Sequence, residues 1–373
     1  MTAVNWKKLA TVPFSDELLD KGFTKGRKAA ENTYDPHKTF RVRKQMTRMI
    51  QSSVDTIAEQ LINHVQSWPS LERLELFDIA LIEAAVGLDE YRHNLSMLQW
   101  CSKQIRSVAK QNIDKITRTA NVEFMHKTRR EAYGRISSII GQTSKSLKWL
   151  NLARETLKKL PSIDPANPCI VVAGAPNVGK SALISALSSG NPEVASYPFT
   201  TKQLHLGHFD HRRLRYQIVD TPGLLDRPMQ ERNQIEMQAI AALEHTGSII
   251  LFVRDHSGEC GTSIEEQNNL LDEVKILLKQ KEIIVVETKA DLMDIDKKEW
   301  EKYKLAETNL DYKKIDVSKL EFLRNKDTNN IMISTKENFG LESIKYLIIN
   351  KIKSAQNNNP LELPEGWYRS DID

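Results

Sequence analysis

The run CIVVAGAPNVGKSALISAL, residues 169–187, restricts this chain more than any other feature. It opens apolar and β-branched, passes through GAPNVGKS (residues 174–181), which fits the pattern GxxxxGK[ST], and ends with helical spacing. Such a loop works only between a strand and a helix. Its glycines let successive backbone N–H groups turn inward around a phosphate, and the helix N-terminus adds partial positive charge. The runs QLHLGHF, LRYQIVD, SIILFVRD, EIIVVE and NIMIS read as further strands, and helical patterns follow Lys180, Arg232, Ser263, Lys297 and Gly340. Strand–helix alternation of this kind predicts a mostly parallel, doubly wound sheet over residues 169–356.

The first 160 residues differ in kind. Between Thr39 and Leu160 there are three glycines and one proline, and apolar residues recur at helical spacing, as in Leu74, Phe77, Leu81 and Ile82. This predicts a helical bundle over residues 1–160, with Pro69 breaking one helix and Gly87 and Gly141 as kinks or ends. Residues 161–168 (PSIDPANP) cannot continue a helix and read as a linker. Residues 357–373 read as an irregular tail. The expected fold class is therefore α + α/β: an N-terminal all-α helical bundle followed by a doubly wound P-loop domain.

Composition narrows the setting. No apolar run approaches the roughly 20 residues of a membrane span, the N-terminus has no apolar signal core, and three cysteines lie far apart without a CxxC pair. A cytoplasmic protein without a membrane partner is expected. Residues 1–160 hold 27 Lys and Arg against 17 Asp and Glu, while the remainder is mildly acidic. A polyanionic partner would meet the first half.

The motifs assign roles. Gly174, Ala175, Pro176, Asn177, Val178, Gly179, Lys180, Ser181 and Ala182 would wrap the phosphates, with Lys180 a point charge on the β/γ-phosphates and the Ser181 hydroxyl on Mg²⁺. IVDTPG brings Asp220, which can hold Mg²⁺ through a water, and Gly223, whose N–H can sense the γ-phosphate. In SYPFTTK, Thr201 is the residue chosen to reach Mg²⁺ and γ-phosphate, with Thr200 the alternative. TKAD supplies Thr288, Lys289 and Asp291. A carboxylate there accepts both guanine donors, for which adenine has no match. The usual motif begins with Asn, so Thr288 can make only part of the amide's contacts. Ser334, Thr335 and Lys336 fit the loop that reads guanine O6 by its backbone. GTP/GDP and Mg²⁺ are the expected cofactors.

Where Ras-type enzymes place a water-orienting glutamine, this chain has Leu224, then Leu225. Intrinsic hydrolysis should be slow unless stimulated. Asn177 resembles the P-loop asparagine of potassium-activated GTPases, so K⁺ is a further candidate cation. Catalysis would rest on Asn177, Lys180, Thr201 and Gly223. In the basic half, Arg27, Arg41, Arg43, Lys44, Arg129 and Arg130 are the candidates for RNA phosphate contacts, recognising shape rather than base code. The tryptophans read as core or anchor residues.

Residues 77–116, together with YPFTTK, VDTPGLLDRP and DHSGECGTSIEEQ, resemble the nucleolar GTP-binding (Nog-type) family within the Obg-like group. The similarity spans about residues 1–355. The long C-terminal extension of eukaryotic members is missing, as in a compact archaeal form. The resemblance implies a large-ribosomal-subunit assembly factor whose helical region contacts ribosomal RNA of the pre-large-subunit particle, with assembly proteins as further partners and the G domain as switch. It carries over to Gly174, Asn177, Gly179, Lys180, Ser181, Thr201, Asp220, Gly223 and Asp291. Thr288 departs from the family's asparagine, and Thr335 stands where alanine is usual. The alternative is a GTPase whose helical half binds proteins only, as a signalling or targeting switch.

Overall fold

The computed structural model describes residues 4–164, 166–196, 203–220, 225–226, 232, 236, 240, 247–293, 297–310 and 323–358. They form two compact units. One comprises Val4–Leu74 with Leu81–Ser162; the other comprises Glu75–Ala80 and the described part of Ile163–Asp373.

The helical stretch contains α1 (Ser15–Glu31), α2 (Lys38–Ser67), α3 (Leu76–Val86), α4 (Leu88–Thr117), α5 (Val122–Gln142) and α6 (Ser144–Leu157). Helix α1 buries Leu18, Gly22, Gly26 and Ala30, a single row at spacing four that faces α2. The glycines set the distance between these helices. A Cβ on Gly26 would lie 2.1 Å from Ser53 Oγ and 2.6 Å from Met49 O, and one on Gly22 would lie 2.5 Å from Ile57 Cγ1. Pro69 ends α2 as expected, and its carbonyl accepts the Tyr91 hydroxyl at 2.7 Å. Gly87, at φ 78°, separates α3 from α4, whereas Gly141 sits inside the last turn of α5. Residues before α1 lie along α6: Arg154 Nε donates to Leu9 O at 2.7 Å, and Asn151 exchanges two hydrogen bonds with the Val12 backbone. Trp6 and Trp68 are buried and Trp149 is half-buried, but Trp100 is 38% exposed and belongs to the surface, not the core.

The second unit is built on a seven-stranded sheet: β1 (Cys169–Ala173), β2 (Glu193–Ser196), β3 (Gln203–His211), β4 (Leu214–Asp220), β5 (Ile249–Asp255), β6 (Ile283–Thr288) and β7 (Ile331–Met332), in the order β2-β3-β4-β1-β5-β6-β7. β1 pairs in parallel with β4 and β5, and β5, β6 and β7 continue in parallel. β2–β3 and β3–β4 are antiparallel. Every residue of β1 and β5 is buried, as central strands of such a sheet require. The helices are α7 (Lys180–Leu187), α8 (Ile264–Leu277), α9 (Lys297–Thr308) and α10 (Leu341–Asn358). Helix α7 packs on β3 and β4, and α8 on β5. Helix α10 carries the helical pattern to Asn358, past the expected start of the tail at 357.

The proline-rich stretch after α6 is tied to the sheet. Gln217 of β4 accepts from Asp164 N and donates to Asp164 O, both at 2.8 Å, while its own N–H reaches Pro168 O at 2.9 Å. No helix among the described residues is long and apolar enough to cross a membrane.

Candidate functional site

The parallel register aligns the strand ends that matter. Val172 lies opposite Asp220, Ala173 opposite Phe252, and Asp255 opposite Thr288. The loops leaving β1, β4, β5 and β6 therefore emerge side by side at the carboxyl edge, where open α/β sheets bind ligands.

Gly174 turns the chain off β1 at φ 139°, and a Cβ there would lie 2.2 Å from Val253 O. No other residue fits without moving β5. Its N–H donates to Leu225 O at 3.0 Å, and Leu225 is fully buried, so this leucine anchors the P-loop to the segment after Asp220. Ala175 and Val178 are buried, Pro176 is half-buried and Asn177 is exposed with a left-handed backbone, φ 60°. Gly179, also left-handed, precedes α7. Lys180 then opens the helix, its ammonium donating to Gly174 O at 2.9 Å and Ala175 O at 2.8 Å across the loop. Ser181 and Ala182 are exposed in the first turn.

The Ser181 hydroxyl donates to Asp220 Oδ2 at 3.1 Å, so the two expected metal-binding groups converge. Both are hard oxygen donors, and Asp220 is buried. Among the described residues no group of three or more His, Cys, Asp or Glu side chains could hold a metal alone. A hydroxyl and a carboxylate are the donor types Mg²⁺ takes, alongside waters and phosphate oxygens. His205 of β3 places Nδ1 3.9 Å from Asp220 Oδ2. Thr200, Thr201, Gly223 and Leu224 lie outside the described residues.

At the other end, Lys289 adopts a left-handed backbone, φ 56°, which turns TKAD sharply off β6. The buried Thr288 hydroxyl has one hydrogen and two carbonyls within reach, Val178 O at 2.5 Å and Arg254 O at 3.2 Å. It thus links the base loop to the P-loop, a link that sequence reading expected to be partial. The Lys289 ammonium pairs with Asp255 Oδ2 at 2.7 Å. Burial would raise the Asp255 carboxyl, but Lys289 and the Ser257 hydroxyl and amide hold it below its ordinary range. The Ser334 hydroxyl donates to Asp291 Oδ1 at 2.5 Å, and Lys336 Nζ lies 3.9 Å from Oδ2. Thr335 is half-buried between them. Ala290 N donates to Ile333 O, fixing the two loops expected to read the base to each other.

Beneath these loops lies a buried network absent from the sequence reading. Glu287, fully buried on β6, accepts from Arg254 Nη2 at 2.6 Å, Thr328 Oγ1 at 2.7 Å and Asn330 Nδ2 at 3.0 Å on one oxygen, and from Asn325 Nδ2 at 2.5 Å on the other. Arg254 Nη1 reaches Asn268 Oδ1 of α8 at 2.5 Å. Asp255 was legible in principle, since its strand ends in a carboxylate as the Asp220 strand does. Glu287 and His205 carried no motif and are exposed as partners only by the register.

In the helical unit the basic candidates divide. Arg43 donates to Thr119 O at 2.7 Å and lies over the Phe40 ring, and Lys44 pairs with Asp35 at 2.6 Å. Both hold the bundle end together. Arg27 bonds Thr24 on the surface, and Arg129 lies over Tyr133. Arg130 is exposed and Arg41 half-buried.

A phosphate cradle with an ammonium, a hydroxyl–carboxylate pair beside it, and a carboxylate-bearing base loop stitched to the cradle define a P-loop GTPase. Comparison with known proteins agrees. Residues 6–164 match the family model described as the NOG1 N-terminal helical domain, and residues 169–289 match that described as a 50S ribosome-binding GTPase. The chain belongs to the NOG1 family. An uncharacterized protein of Methanocaldococcus jannaschii is 36% identical over 78% of this chain and 81% of its own length. Nucleolar GTP-binding protein 1 of Drosophila melanogaster is 34% identical over 79% of this chain but 45% of its own length, so the chain spans about half of that relative. A crystal structure of a putative nucleolar GTP-binding protein 1 from Plasmodium falciparum is 36% identical, covering 53% of this chain and 93% of that one, with a TM-score of 0.40.

Proposed function

We propose that this GTPase acts as a nucleotide-gated switch in assembly of the large ribosomal subunit, in the cytoplasm, with its helical unit contacting ribosomal RNA. Ser181 and Asp220, with Thr201, would hold Mg²⁺, which would supply positive charge to the β/γ-phosphates. Lys180 would leave the Gly174 and Ala175 carbonyls for the phosphates. Gly223 would report the γ-phosphate, and Asn177 would help hold K⁺ beside it. Asp291, oriented by Ser334, would accept the two guanine donors, while Lys289, held by Asp255, would flank the base.

The observation that carries the nucleotide reading is the convergence of Ser181 on Asp220 and of Ser334 on Asp291 at one sheet edge. The ribosomal reading is supported by the matched family descriptions and by the positive surplus of residues 1–160. Calorimetry with GDP and ADP in Mg²⁺ buffer tests the first: guanine uptake alone is expected, and equal adenine uptake refutes it. Co-sedimentation with large-subunit precursors across a salt series tests the second. Retention that falls steeply with salt is expected; salt-insensitive binding to a protein partner would favour a targeting switch.

A further inference from the structure

The end of the bundle where α2 begins and α4 gives way to α5 carries features that no motif accounts for. Arg43 crosses this end, donating to Thr119 O in the α4–α5 turn while its guanidinium lies 5.2 Å from the Phe40 ring centre. Phe40 is nevertheless 48% exposed, and Phe124, in the first turn of α5, is 43% exposed. The backbone at Phe124 is anchored: Asn121 caps α5 by accepting the Phe124 N–H at 3.0 Å. Beside it lies an open hollow of about 460 Å³ lined by Lys115, Arg118, Thr119, Asn121 and Phe124, without a carboxylate in its lining. A second hollow in the same unit, between α2 and α4, mixes Arg106 and Lys110 with Asp55, Glu59 and Asp114. Of the two, the first combines cations with an exposed ring in a lining that holds no carboxylate.

Exposed rings beside arginines and lysines are the elements from which unpaired nucleic acid is bound: bases stack on the rings while cations and a helix N-terminus meet the phosphates. A duplex keeps its bases stacked on each other and offers such rings nothing. We infer that this corner of the helical unit binds unpaired RNA, with Phe124 as a stacking platform, Lys115 and Arg118 as phosphate contacts, and Phe40, backed by Arg43, as a second platform. The inference rests on the reading that the helical unit contacts RNA, and it replaces recognition by shape with recognition of splayed bases at this place.

The test is fluorescence anisotropy of the full chain at saturating GDP, with a 5′-hydroxyl unpaired RNA of about 12 nucleotides and an RNA duplex of equal length. Phe124→Leu, which keeps an apolar side chain but removes the ring, is expected to weaken binding of the unpaired strand about fivefold or more. Binding of the duplex should not change. Phe40→Leu, checked by circular dichroism for an intact bundle, should act in the same direction. Arg118→Glu should weaken both ligands and flatten the salt dependence. If both leucine variants bind the strand like wild type while Arg118→Glu weakens it, RNA binding stands and the stacking inference is overturned. If wild type binds neither RNA, the RNA reading falls and this one with it. Competition by an acidic polypeptide as effective as competition by the strand would assign the corner to a protein.

Discussion

Replacing Glu287 by glutamine should damage the guanine end of the site without touching a residue expected to contact nucleotide. The carboxylate is fully buried and accepts from four donors, one of them the guanidinium of Arg254, whose side chain is 7% exposed. Breaking a buried pair from one side leaves the other charge uncompensated, at about 3–5 kcal/mol. The amide also turns an N–H₂ toward groups that are themselves donors. For a unit of 150–250 residues, at about 2–4 °C per kcal/mol, the midpoint should fall by roughly 6–20 °C. Local opening should concentrate in residues 323–333, which join Glu287 to Ser334 and so to Asp291. Guanine affinity should fall with it.

The pH dependence has a definite sign. Burial, the largest influence, would raise the Glu287 carboxyl, but Asn330, Thr328, Asn325 and Arg254 bring it below its ordinary 4.5. Its stabilisation is therefore complete above the unfolded value and is lost as pH falls through the lower folded value. The difference between wild type and variant should be full at pH 7 and shrink in acid. The assay is urea denaturation at several pH values, with hydrogen exchange over residues 323–333. Stability within about 1 kcal/mol of wild type at pH 7, with unchanged exchange there, would refute the reasoning. As a control, Arg254→Met combined with Glu287→Met should cost less than the sum of the two single changes, because no charge is stranded.

Gly174→Ala should abolish GDP binding, at least about a hundredfold by calorimetry, because its Cβ would lie 2.2 Å from a β5 carbonyl at a φ of 139°. Thr288→Val removes the hydroxyl that serves Val178 O and Arg254 O and should weaken GDP about five- to tenfold; unchanged affinity would show that the link between the loops is idle. Asn177→Gly keeps the left-handed backbone and deletes the amide. It should remove stimulation of turnover by KCl over NaCl, and equal wild-type rates in both salts would count against a K⁺ site.

What the sequence disclosed and what it withheld divide along a physical line. Strand–loop–helix at residues 169–187 could be read directly, because a phosphate cradle needs glycine at positions that sterics dictate, and Gly174 has those sterics. The bundle was legible because apolar residues such as Phe77, Leu81 and Ile82, all buried, recur at helical spacing, whereas the glycines that α1 buries against α2 carry no apolar signal. Partners distant in sequence were not legible. Nothing local marks Gln217 as the residue that ties the proline-rich stretch to β4, or Arg43 as a strut to Thr119 rather than a free cation. Counting charges located a basic half but could not separate cations already engaged from those still facing outward. Lys44, paired with Asp35, and Arg118, lining an open hollow, look alike in the sequence.

The threonine at position 288 brings both kinds of information together. As a departure from asparagine it suggests a weakened base loop. In the structure its hydroxyl performs the connection that matters mechanically, since Val178 O belongs to the P-loop and Arg254 O to β5. Leu225 makes the corresponding connection from the other side through Gly174 N. The P-loop is thus held at both of its ends by neighbouring segments, one leading to the base and the other continuing the chain from Asp220. One hydroxyl hydrogen cannot satisfy two carbonyls as an amide's two could. The substitution should therefore loosen the base loop rather than change which base it accepts, because on the proposed reading that choice would fall to Asp291, which Ser334 holds.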